Sequence, residues 1–559
     1  MSWVLAWACI FTLPGLFIGS LGWIKPGRFS VLGPAALLAC SVAWLLGGRE
    51  TLVIRLDGWL PFVADGSFEL RVDALAVLML GILGVVALCV YVYTLAYMAD
   101  DPGIRRFYAF LDFFVAAMAL LVTAGNLAVL LIGWTGVGMA SYFLISFWRD
   151  REGTLYAGLQ AIAANAVGDG ALILAAVLLP AGCGNLTTLQ SAACGSGVGG
   201  AALIGGLLVV AASAKSAQGP LYFWLPSAMA GPTPISALIH AATMVAAGVY
   251  LLVRVHLLLA LTPLLLLAIA ILGVATAIFG AVMSLLQSNL KKGLAYSTVS
   301  QLGYMFAAVG FSAPFAAFFH LGSQAFFKAL LFLSAGVVIH AIGGSEELSS
   351  MGGLGRHLPF ARWTFLIGSI SLFGVPFTAG FFSKDAIVEA SGGRLLGWAL
   401  VATALLSGMY IGRLYFATFE GPRRSEDHLH EPREPRAMAW SLLPLAAGAL
   451  LFGYTQWPEG GLAQTLRPVL GAVETQPLFT FQGGLAALLG LVGFVGAGLW
   501  SMRQAMPERA PGSGWVRWAS DASLALAGGF ASAQNGRLGR YAVITVLGFA
   551  AILFAGLRA

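Results

Sequence analysis

Charge is scarce in this sequence. Of its 559 residues only 10% are Asp, Glu, Lys or Arg, while 59% are hydrophobic; soluble domains carry about a quarter charged residues. That shortage excludes an ordinary soluble fold. Lysine is rarer still, with six in the whole chain, and there are five cysteines. The chain shows no cysteine cluster, no glycine-rich nucleotide loop and no haem-attachment motif. No metal or cofactor is therefore expected on the chain itself, and any redox centre belongs to partners. The formal net charge of +6 is scattered over loops rather than gathered into a stripe, which argues against nucleic acid as a partner.

What fills the chain is apolar sequence. Runs able to cross a bilayer, which takes about 20 residues each, fall near 3–23, 31–48, 74–98, 107–123, 127–148, 157–181, 200–222, 234–257, 262–287, 294–311, 314–341, 363–383, 395–418, 437–455, 484–502 and 541–557. The expected fold is an all-α polytopic membrane protein of about sixteen spans, in contact with membrane lipid. The first run lacks a basic leader and a small-residue cleavage site, so it is read as a retained helix.

Nineteen of the thirty basic residues fall in the odd-numbered loops. Basic loops stay cytoplasmic, which places both termini outside and the 503–540 connection inside. Cys183 and Cys194 then share an external loop, where either a disulfide or two unlinked thiols is chemically reasonable. Within 503–540, Trp515, Trp518, Ala522, Leu526 and Phe530 recur at helical steps, as in a short amphipathic helix lying along a surface. An ordinary loop is the alternative.

Residues 213–245 interrupt the pattern, with Lys215, Pro220, Pro226, Pro232, Pro234 and His240 inside an apolar run. Broken helices are tolerated at membrane depth only where the freed backbone is buried in protein or lines a wet cavity. A second segment echoes the first, with Lys384 following Pro376. Two Pro-interrupted spans, each with a lysine, point to inverted five-helix repeats, placed at 107–257 and 258–418. They are flanked by 1–106, 419–502, the lateral segment 503–540 and the final helix 541–559.

Lys215, Lys328 and Lys384 lie within or beside spans. A charge at mid-helix costs about 2.5–3.5 kcal/mol even on the lenient scale, so these positions suggest an ion path. Lysine can carry a proton when burial weakens its hold on it, and histidine titrates near neutrality. His240, His320 and His340 fall in spans, and His320 stands eight residues from Lys328 on one helix. Lys291 and Lys292 open another span, where interfacial anchoring is the competing reading. The intramembrane carboxylates are Asp112, Asp169 and Asp385. For Asp169, a buried ion pair that merely holds two helices in register is the alternative.

The segments Lys215-Ser-Ala-Gln, Trp224-Leu-Pro, Gly231-Pro-Thr-Pro, Ser236 to Val245, Leu294-Ala-Tyr-Ser, Ala325-Phe-Phe-Lys-Ala-Leu and Gly380-Phe-Phe-Ser-Lys-Asp resemble the antiporter-like membrane subunits of respiratory complex I. The resemblance is to chain 5 (subunit L) in particular, and to the related Mrp antiporter large subunit. It implies a bacterial inner-membrane location and carries the family's proton path onto Lys215, His240, Lys291, His320, Lys328, Lys384 and Asp169. Three positions depart from the pattern. Thr135 stands where the family has a glutamate that partners the first lysine. Asn289 replaces an aspartate, and Gln324 a second histidine. Asp112 is expected to compensate, supplying with Asp169 the negative charge near Lys215.

The resemblance implies a proton-conducting subunit with a hetero-oligomeric partner. Its leading reading is energy-coupled uptake of inorganic carbon beside a zinc-binding, soluble-faced protein. The alternatives are a pumping subunit among other complex I subunits, an Mrp-type Na+/H+ antiporter subunit, and a structural scaffold.

Overall fold

The computed structural model describes residues 30–47, 50–57, 67–180, 183–186, 198–422, 424, 434–457, 461–471, 473 and 479–504. The spans expected at 3–23 and 541–557, almost all of the lateral segment, and Cys194 lie outside these residues. Cys183 is disulfide-bonded.

Helix α1 (Leu32–Leu46) leads into a feature that the all-α expectation did not contain. Strand β1 (Leu52–Leu56) pairs antiparallel with β2 (Phe68–Val72), Leu52 opposite Val72 and Leu56 opposite Phe68. In β1, half-buried Leu52 and Ile54 alternate with exposed Val53 and Arg55, the period-two pattern of a strand with one packed face. A search for twenty-residue apolar runs passes over such a five-residue element.

Helices α2 (Ala74–Tyr97), α3 (Ile104–Val122), α4 (Leu127–Ile145) and α5 (Thr154–Leu178) follow. Side-chain oxygens start two of them: Asp73 accepts from the Ala76 amide at 3.1 Å, and Asn126 from the Val129 amide at 2.9 Å. Such caps satisfy backbone donors that have no partner inside the helix.

Helix α6 (Val198–Lys215) ends at the lysine, earlier than the run to 222 suggested. The expected span 234–257 is divided as well. Short α7 (Trp224–Ser227) precedes α8 (Thr233–Ala241), α9 (Met244–Arg254) and α10 (His256–Ala260). The chain then runs unbroken through α11 (Pro263–Leu286), α12 (Leu290–Gly310) and α13 (Pro314–Ala341). The run 363–383 also splits, into α14 (Pro359–Phe373) and α15 (Ala379–Ala390), where Gly374 takes the left-handed conformation at φ 90° ahead of Pro376. Helices α16 (Leu395–Phe419), α17 (Arg436–Leu451), α18 (Leu462–Leu470) and α19 (Phe481–Gln504) complete the described chain.

Among the described residues nine helical stretches are long and apolar enough to cross a membrane. Two of them, α8–α9 and α13, are buried throughout their most apolar stretch, whereas α4 and α5 present Ile132, Met139, Ile162, Leu174 and Val177 outward. Helix α12 is drawn tightly against α11: a β-carbon on Gly280 would lie 2.5 Å from the Ser300 nitrogen, and one on Gly303 2.5 Å from that of Ala277. Small residues permit this approach between membrane helices.

At one end of the bundle Arg254 straps α9 to α2. Its guanidinium donates to both Asp73 oxygens, at 2.5 and 3.0 Å, and to the Tyr250 hydroxyl at 2.6 Å. Tyr250 in turn donates to the Val122 carbonyl at 2.6 Å. Burial pushes the Asp73 carboxyl up, but the charge and hydrogen bonds of Arg254 outweigh it and hold the group below its ordinary range.

Candidate functional site

Lys215 closes α6, so its ammonium sits at the negative end of the helix dipole. The following residues leave helical geometry, and the freed carbonyl of Ala214 accepts the Trp224 indole N–H at 3.0 Å. The lysine is fully buried. Asp169 Oδ1 lies 4.0 Å from its Nζ and the Trp134 ring centroid 5.4 Å away. Space for the ammonium is left by Gly138, where a β-carbon would come within 2.8 Å of Nζ. Asp169 is 22% exposed and shares the wall of a cavity of about 830 Å3 with Thr135, Gly138, Tyr142 and Asn165. The threonine at the family's glutamate position bonds its own helix, Oγ1 to the Leu131 carbonyl at 2.7 Å.

Asp112 does not take part in this pairing. Its oxygens accept from Ser30 Oγ at 3.0 Å and Tyr91 OH at 2.8 Å, and Lys215 is not within ion-pair distance. The expected compensation therefore rests on Asp169 alone.

The remaining candidate groups are ordered by α12. At its start, Lys291 donates to the Met229 carbonyl at 2.7 Å, the Gly231 carbonyl at 3.0 Å and Glu346 Oε1 at 2.8 Å. The two carbonyls belong to the break between α7 and α8, where no helical amide claims them. Ser297, six residues or about 9 Å of helix rise further on, accepts from Lys328 Nζ at 2.5 Å. Gln301 Oε1 lies 3.2 Å from His320 Nε2, and Ser383 Oγ 2.9 Å from His320 Nδ1. The Tyr304 ring then lies 5.2 Å from Lys384 Nζ. One helix thus meets Lys291, Lys328, His320 and Lys384 in succession, over roughly 20 Å.

His240 ends α8 beside this row. It is fully buried, lies within electrostatic reach of Lys291 and Lys328, and packs 4.6 Å from the Phe332 ring. Among the described residues neither of its ring nitrogens has a hydrogen-bond partner, and the same holds for Nζ of Lys215 and Lys384. Buried polar groups are seldom left so, and ordered water is the usual partner.

Asp385 follows Lys384 and accepts from the Thr480 hydroxyl. Lys292 is exposed at the mouth of α12, as an anchor would be. His340 stands exposed at the end of α13 against Tyr97, outside the row. Sequence reasoning missed Glu346 and the linking groups Ser297, Gln301, Ser383 and Tyr304. Each is an ordinary residue type, distinguished only by what another helix brings to it.

The family model described as NADH:quinone oxidoreductase/Mrp antiporter, TM, matches residues 124–409, and that for the complex I chain 5 N-terminus matches residues 59–108. The chain is 40% identical over 461 residues to NADH-quinone oxidoreductase subunit L of Mycobacterium tuberculosis, covering 80% of this chain and 72% of the relative. It is 39% identical to the subunit L of Campylobacter jejuni, covering 82% and 76%. Among solved structures, a chain of the Mrp complex from Dietzia sp. DQ12-45-1b superposes with a TM-score of 0.78 at 27% identity, covering 98% of this chain and 62% of that one. A chain of the membrane-bound sulfane sulfur reductase, an archaeal respiratory membrane complex, shares the fold at a TM-score of 0.69 and 19% identity, covering 89% and 99%.

Proposed function

The chain belongs to the NADH:quinone oxidoreductase/Mrp antiporter transmembrane family, and on that premise we propose that it conducts protons along the α12 row on behalf of a partner assembly. The ordering of Lys291, Lys328, His320 and Lys384 along one buried helix carries the reading. Each group can bind and release a proton, and Ser297 hydrogen-bonds to Lys328 while Gln301 and Ser383 hydrogen-bond to His320. The Lys215–Asp169 pair stands apart from the row as a charge pair that can open and close. A scaffold has no use for buried cations that cost this much. A row of ammonium groups also repels Na+, which favours H+ over the Na+/H+ antiport reading.

For the process served, we propose energy-coupled uptake of inorganic carbon, with a zinc-binding, soluble-faced protein as partner. Support comes from the altered charges at Thr135 and Asn289, which suit a subunit passing protons to a partner rather than one driven by a redox arm. A second reading, a pumping subunit of complex I, is favoured by the two relatives named subunit L. Purification in mild detergent and identification of the co-purifying chains separates them. A zinc-binding soluble protein supports carbon uptake; quinone-binding and iron–sulfur subunits support complex I and overturn the first reading.

A further inference from the structure

Resting on the proton-path reading, we infer that Glu346 is the carboxylate through which protons pass between solvent and the α12 row. Glu346 lies in the loop after α13. Its side chain is 29% exposed, while that of Lys291, 2.8 Å away, is 3% exposed. It is the one member of this contact that water reaches. Lys291 has three N–H donors, and all three are occupied, by the Met229 and Gly231 carbonyls and Glu346. Of these acceptors only the carboxylate can take up a proton.

The second carboxylate oxygen is held by Asn289, whose Nδ2 donates to Oε2 at 3.1 Å while its Oδ1 caps α12 by accepting from the Lys292 amide at 3.0 Å. An aspartate at 289 could accept at the cap but could not donate to Glu346, and two carboxylates would repel. Asn289 is therefore matched to Glu346, and the negative charge missing at 289 stands at 346 instead. Glu346 opens on a cavity of about 590 Å3, lined on the polar side by Arg151, Glu152, Thr154, Gln160, Ser227 and Lys292. Glu347 lies beside it, its Oε1 3.4 Å from Asn289 Nδ2. The transfer balances within the pair: the carboxylate takes a proton from water, the lysine gives one onward along the row, and the carboxylic acid returns its own to the lysine.

The test uses the native complex in proteoliposomes, with proton flux read by a pH-sensitive dye. E346Q lowers flux at least tenfold, E347Q leaves it unchanged, and K328M abolishes it. An E346C variant is inactive and regains flux after reaction with a carboxyethyl thiosulfonate. A methyl thiosulfonate does not restore it, which separates a proton-carrying role from simple bracing of the loop. Full flux in E346Q with loss in K328M overturns the assignment of Glu346 while the row stands, and equal rescue of E346C by both reagents overturns it too. Full flux in K328M overturns the proton-path reading itself.

Discussion

Gly138 of α4 and Lys215 of α6 are fitted to one another: a β-carbon on the glycine would come within 2.8 Å of the ammonium. Asp169 lies 4.0 Å from the same ammonium, at the limit of an ion pair. Gly138→Ala is expected to push the ammonium aside. A pairing loss of about 1–2 kcal/mol corresponds to a five- to thirty-fold change in an equilibrium, and proton flux in proteoliposomes should fall by that factor. Unchanged flux in a folded variant would show that the position of Lys215 does not matter.

Asp169 and Asp112 should separate cleanly. Asp169→Asn leaves Lys215 buried without a counter-charge, and flux should fall at least tenfold. Asp112→Ala removes the acceptor for Ser30 and Tyr91, leaving buried hydroxyls without a partner at about 1–3 kcal/mol each. It should lower the melting temperature in detergent with little effect on flux per folded molecule. Parallel loss of flux in both variants would restore Asp112 to a role beside Lys215.

The Asp73–Arg254 strap makes a prediction about pH. The Asp73 carboxyl is held below its ordinary range, chiefly because the contacts of Arg254 outweigh burial. A group depressed on folding contributes stability above its unfolded value, about 3.9, and loses it as pH falls through the folded value. Wild type should therefore exceed Asp73→Asn in thermal stability at pH 7 and pH 5, and the gap should begin to narrow below about pH 4 and keep narrowing as pH falls further. Breaking such a buried pair costs on the order of 3–5 kcal/mol. A gap that persists undiminished at pH 3 would mean that the strap is not ionic.

Much of this was legible in the sequence because cations inside apolar runs are conspicuous. Lys215, Lys328 and Lys384 and both proline breaks stand out from composition alone, and the boundaries of most helices followed from hydropathy. What escaped were properties of juxtaposition. Which carboxylate meets Lys215 depends on helix rotation, which hydropathy does not fix, so Asp112 and Asp169 looked equivalent until their partners were seen. Glu346 follows the last turn of α13 in a Gly-Gly-Ser-Glu-Glu loop, where acidic residues ordinarily sit in water. The asparagine at 289 was a signal that could have prompted a search for a displaced acid. The β1–β2 hairpin escaped for a simpler reason, since five-residue alternation is invisible to a window set for membrane spans.

The proposed proton path depends most on the α12 row acting as one connected route, and Lys328 is the second of its four members, held through Ser297. Lys328→Met keeps the bulk of the side chain and removes the proton carrier. The decisive measurement is proton flux through the reconstituted native complex carrying Lys328→Met, with assembly checked by gel filtration. Loss of flux with intact assembly is the predicted result, and wild-type flux through the assembled variant would contradict it.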